Sequence, residues 1–87
     1  MLDDDEVVEF LVGVTGLERA DLGSSLSLLD LGLSSFRVMQ TLMQIEETFG
    51  IELSDEEVVR FASAPAEILA SLVEKRARGS SATDHDR

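Results

Sequence analysis

The sequence predicts an all-α protein, a four-helix bundle made of three main helices and one short helix, with a long first loop. Three observations lead there. Apolar residues recur at helical spacing around residues 7–14, 36–49 and 68–73. Helix-start signals stand before these runs and before residue 58: acids at Asp3 to Glu6, a Ser54-Asp55-Glu56-Glu57 run, and Pro65. An alternating Leu26 to Leu28 is conceivable as a strand, but the chain offers nothing to pair with it.

In the first helix Val7, Phe10, Leu11 and Val14 share a face. Asp3 or Asp4 serves as N-cap, the acids suit the positive end of the helix dipole, and Gly16 ends the helix. Consecutive aspartates lack the alternating ligand spacing of a calcium loop, so no metal is expected. From Leu17 to Ser34 periodicity is lost. A short turn at Glu18 to Asp21 is broken by Gly23-Ser24-Ser25. Leu26, Leu28, Leu29, Leu31 and Leu33 are expected to lay the rest over the bundle. The helix after Ser35 reads as burying positions 39, 42, 45/46 and 49, with Arg37, Gln40, Thr41, Gln44 and Glu47 elsewhere and Gly50 closing it. Ser54 and Glu57 form a capping box for a short helix with Val58, Val59 and Phe61 on its apolar side. Pro65 takes the first position of the last helix, whose inner face is Ile68, Leu69, Leu72 and Val73. Lys75, Arg76 and Arg78 suit its negative end. Residues 79–87 are small, polar and charged and read as a disordered tail, which holds the lone His85.

The net charge is −11, from 18 acids and 7 bases, which excludes nucleic acid and an anionic membrane surface as partners. A basic protein surface suits this charge, and so does plain solubility. With no cysteine, a disulfide, a catalytic thiol and a thiolate metal site are all excluded. The acidic N-terminus is unlike a signal peptide, and no apolar run reaches the ~18 residues of a membrane span, so a cytoplasmic protein is expected. Ser34 and Ser35 have no base to activate them, so the chain is not expected to be an enzyme.

What remains is a hydroxyl that another protein modifies. Leu31-Gly32-Leu33 makes a tight turn, and Ser34 and Ser35 follow at the mouth of a helix. Unpaired N–H groups and the positive end of the dipole favour a phosphate ester there. From the residues alone, a plain N-cap role for either serine is the favoured reading at this point.

Leu31-Gly32-Leu33-Ser34-Ser35-Phe36 resembles the phosphopantetheine attachment motif of acyl carrier proteins, whose common form is Leu-Gly-X-Asp-Ser-Leu. The likeness runs on through Ile45-Glu46-Glu47-Thr48-Phe49-Gly50-Ile51-Glu52-Leu53 and the acidic start after Ser54, and in helix pattern covers residues 3–77. It implies that Ser35 accepts 4′-phosphopantetheine from coenzyme A through a phosphopantetheinyl transferase. The arm's thiol then carries an acyl or aminoacyl group as a thioester, between a loading enzyme and a downstream synthase or transferase. A discrete, monomeric carrier over residues 1–78 is the expectation, because Met1 stands close to the first helix and a polar tail follows the last.

The chain departs from the family pattern in two places. Ser34 stands where the family has aspartate, and register with Leu31-Gly32 makes Ser35 the attachment residue. Arg37, Gln40, Thr41 and Gln44 occupy a helix face where carriers commonly place acids, and acids come late, at Glu46, Glu47, Asp55, Glu56 and Glu57. The residues expected to meet partners are Phe36, Arg37, Val38, Gln40, Met43, Glu46, Glu47, Asp55 and Glu56. The altered face points to a polyketide, nonribosomal peptide or related pathway rather than the ordinary fatty-acid synthase. The alternative is a carrier-like helical interaction module that is never phosphopantetheinylated.

Overall fold

The computed structural model describes residues 3–85, with side chains for residues 3–79. Its helices are α1 (Asp4–Thr15), α2 (Arg19–Leu22), α3 (Ser35–Phe49), α4 (Asp55–Ser63) and α5 (Ala66–His85), with no strand among the described residues. The three long helices and the short α4 are those the periodicity predicts, and α2 is the single turn expected at Glu18 to Asp21. α1 packs on both α3 and α5, and α4 leans chiefly on α3. No helix among the described residues is long and apolar enough to cross a membrane.

Local chemistry sets the helix ends. Asp3 is the N-cap of α1: its Oδ1 accepts from the Glu6 N–H at 3.0 Å, and the Glu6 carboxylate accepts from the Asp3 N–H at 3.2 Å. Gly16 and Gly50 end α1 and α3 at positive φ, 77° and 68°. The long link is ordered by more than its leucines. Leu22 and Leu28 enter the core, and Leu31 and Leu33 pack at its edge. The Leu26 carbonyl accepts from the Ala66 N–H at 2.7 Å, and the Ser24 carbonyl from the Glu67 N–H at 2.9 Å. The link thus satisfies donors that the start of α5 would otherwise leave unpaired. Leu26 and Leu29, expected to add apolar contacts, instead remain nearly half exposed.

The inward face of α3 differs from the one expected. Val38, Thr41, Leu42 and Ile45 are buried, and half-buried Phe49 meets Phe10 edge to face at 5.1 Å. Met39, assigned to the core by its apolarity, is 44% exposed, whereas Thr41 is 2% exposed. Threonine can be buried because its hydroxyl donates to the Arg37 carbonyl at 2.8 Å, leaving only a methyl group to pack. Val38, expected at the partner surface, is core at 2% exposure, since it lies on the same stripe as Leu42 and Ile45.

A carboxylate joins α4 to α5. Glu57 Oε1 accepts from the Ser54 N–H at 2.9 Å, completing the capping box, and Oε2 accepts from Arg76 Nε at 2.7 Å. Arg76 Nη2 also donates to the Glu52 carbonyl at 2.6 Å, so this cation, expected at its own helix end, lies within α5 and crosses to the segment before α4. α5 remains helical past Gly79, where the tail was expected to begin. A docked helix adds a hydrogen bond with each further residue, and one glycine costs it only about 1 kcal/mol.

The Ser54 N–H, and then Arg76, hold the Glu57 carboxyl below its ordinary value of 4.5. A depressed carboxyl contributes stability that is complete above its unfolded-state value and lost as pH falls through the folded-state value. Wild type should therefore unfold at higher urea than Glu57→Gln at about pH 7, and the gap should close below pH 4.5. A gap that stays constant across a series of urea titrations from neutral to acid pH would contradict this role.

Candidate functional site

Ahead of α3, Ser27 to Asp30 wind into one closed turn. Ser27 Oγ accepts from the Asp30 N–H at 3.2 Å, and Asp30 Oδ2 accepts from the Ser27 N–H at 3.3 Å. The Leu33 N–H reaches back to the Leu28 carbonyl and the Gly32 N–H to the Leu29 carbonyl, each at 3.1 Å. These nested bonds make a Schellman closure with Gly32 at its left-handed position, φ 105°. A Cβ on Gly32 would meet no atom within 4 Å, so glycine is required here by the backbone angle and not by crowding. Leu28, wholly buried, anchors the turn in the core.

This turn delivers two serines in different roles. Ser34 is the N-cap of α3: its Oγ accepts from the Arg37 N–H at 3.1 Å, and its carbonyl accepts from the Val38 N–H at 2.9 Å. Ser35 is the first helical residue, exposed, and its hydroxyl has no hydrogen-bond partner among the described residues. The N–H groups of Ser35 and Phe36 also find no acceptor there. No acid lies in the first turn of α3. The result is a free hydroxyl beside two unpaired donors at the positive end of a helix dipole, which suits an oxygen bearing a phosphate ester.

A family model described as the phosphopantetheine attachment site matches residues 5–72. The chain belongs to that family. No curated protein matches it. Members carry covalently attached 4′-phosphopantetheine and act as carriers without catalysis of their own, so this chain is a member of the acyl carrier protein family. The free hydroxyl and open donors at the head of α3 fit such a group: Ser35 can bond it, and its N–H with that of Phe36 can face the phosphate. Ser34, which stands where the common carrier motif has aspartate, caps α3 through its Oγ.

The other residues expected at the carrier's partner surface divide by environment. Phe36 is 68% exposed and Met43 55%, and Gln40 and Glu47 lie exposed on the same side of α3. Asp55 and Glu56 are exposed at the start of α4. Glu46 is half-buried, and its Oε2 accepts from the Leu53 N–H at 2.8 Å, fixing the link from α3 to α4. Arg37 is exposed, but its guanidinium turns towards α1. The sequence reading missed Met39, which lies one turn beyond Ser35 on the outward side. A helix phase taken from Val38, Leu42 and Ile45 would have placed it there.

Ser34→Ala should lower stability by about 1 kcal/mol through loss of the cap, while Ser34→Asp, which caps equally well, should leave it nearly unchanged. Gly32→Ala should cost about 1–2 kcal/mol, the ordinary penalty for a side chain in the left-handed region. Urea unfolding of the three variants against wild type checks both; an unaffected Gly32→Ala would show that the turn is not held as described.

Proposed function

We propose that Ser35 is the attachment residue and that the chain carries acyl or aminoacyl groups in polyketide, nonribosomal peptide or related biosynthesis. The observation that supports Ser35 is the division of labour at the head of α3: the Ser34 hydroxyl is committed to the cap, and the Ser35 hydroxyl is uncommitted and exposed. In loading, Ser35 Oγ forms the new phosphoester bond to the 4′-phosphopantetheine phosphate. The nucleotide portion of coenzyme A departs, and the serine proton passes to the transferase. The arm supplies the thiol that this cysteine-free chain lacks, and the cargo rides on it as a thioester. Residues 1–78 serve as the carrier domain, with residues 79–87 as an appendage to it.

On this reading the outward side of α3 meets the partner enzymes with Phe36, Gln40 and Met43, and the acids Glu47, Asp55 and Glu56 stand farther from the serine. A transferase or synthase with a uniformly basic docking site gains little from the first turns of α3, which carry no acid before Glu46. That absence supports a dedicated pathway over the ordinary fatty-acid synthase; the setting that suits loading from coenzyme A is cytoplasmic.

Intact mass after incubation with a broad-specificity phosphopantetheinyl transferase and coenzyme A should show one added phosphopantetheine on wild type and Ser34→Ala, and none on Ser35→Ala. An unmodified wild type, or modification that survives in Ser35→Ala, would overturn the assignment and favour the unmodified interaction module. In a reconstituted fatty-acid synthase the loaded chain should support little elongation beside that system's own carrier; efficient elongation would count against the pathway.

A further inference from the structure

Arg37 lies two residues from Ser35, and its backbone groups and one guanidinium nitrogen are tied within the chain. Its N–H donates to Ser34 Oγ at 3.1 Å, its carbonyl accepts from Thr41 Oγ1 at 2.8 Å, and its Nη2 donates to the Val14 carbonyl at 3.2 Å and the Thr15 carbonyl at 3.3 Å. Val14 and Thr15 are the last residues of α1, whose final turn has no basic side chain of its own. The Val12 carbonyl is met by the Gly16 N–H, and the Leu11 carbonyl by Thr15 Oγ1, but the Val14 and Thr15 carbonyls depend on Arg37. A cation from α3 therefore supplies both the hydrogen bonds and the charge that the negative end of α1 needs.

The corner it spans is poorly filled. An open groove of about 340 Å³ runs between the end of α1 and the side of α3, lined by Val14, Arg37, Gln40 and Met43 among others. Apolar packing does not close this corner, and the chain between α1 and α3 is long, so the guanidinium is a direct tie between the end of α1 and the first turn of α3. Resting on the reading of Ser35 as the attachment residue, we infer that Arg37 is a positioning residue for loading. It straps the first turn of α3 to the end of α1 and so holds the Ser35 hydroxyl where a transferase can use it. This is a different task from the partner contact that its place in the sequence suggested.

The test compares Arg37→Ala, Arg37→Lys and Val73→Ala, a core truncation on α5, by initial rates of phosphopantetheine transfer, amide hydrogen exchange of the free protein, and urea unfolding. Arg37→Ala should lower kcat/KM by about ten- to a hundred-fold, the upper figure being the cost of an ångström-scale misplacement of a reacting group. It should also speed exchange at the Arg37 and Val38 amides in the absence of any partner. Arg37→Lys, which keeps a donor and the charge, should recover part of both effects. Val73→Ala should lower the unfolding midpoint and leave the loading rate near wild type at low temperature. Wild-type loading by Arg37→Ala, or a loss matched by Val73→Ala, would overturn the inference. A rise in KM with unchanged exchange in the free protein would also overturn it, making Arg37 a partner contact. If wild type is not loaded at all, the assignment of Ser35 fails, and the exchange measurement still decides whether Arg37 straps the turn.

Discussion

The hydrogen bond from the Arg37 N–H to Ser34 Oγ is the constraint on which the site depends. It sets where α3 begins, and so makes Ser35 the first helical residue and not the cap. Were Ser35 the cap, its hydroxyl would be spent on the backbone and the helix would begin one residue later. Because Ser34 takes that duty, one serine is structural and its neighbour is chemically free. The neutral hydroxyl keeps the capping bond that an aspartate would make, and removes a negative charge from beside the position where a phosphate would be attached.

The surrounding fold converts that local bond into a fixed position. The turn at Ser27 to Leu33 fastens the approach to α3 through wholly buried Leu28, while Val38, Leu42 and Ile45 fasten the helix itself. The same link bonds the start of α5 through its Ser24 and Leu26 carbonyls, so one irregular segment joins the beginnings of two helices. Arg76 and Glu57 make the corresponding tie at the other side, between α5 and α4. With no disulfide available, polar ties at helix ends supplement a core of modest size.

Much of this was legible in the residues. Capping chemistry is local, so Ser54 with Glu57, and Gly16 and Gly50, mark helix ends that the structure reproduces. The family follows from Leu31-Gly32 with the serine pair and from the Phe49-Gly50-Ile51 segment. The inward face of α3 was misread because methionine and threonine contradict simple apolarity: Met39 is outside, while Thr41 is inside with its hydroxyl satisfied one turn back. The bonds of Arg37 and Arg76 were not readable, since each joins segments far apart in sequence and long cations usually stay in solvent. The order in the link was half legible, through its leucines but not through its carbonyls at the start of α5.

The central claim is that the cap on Ser34 leaves Ser35 as the tether. The most direct measurement is peptide fragmentation mass spectrometry of the protein isolated from cells that make it, mapping the modified residue in the segment around Gly32. The account predicts the phosphoester on Ser35 with Ser34 unmodified. A phosphoester on Ser34, or a segment wholly without one, would contradict it.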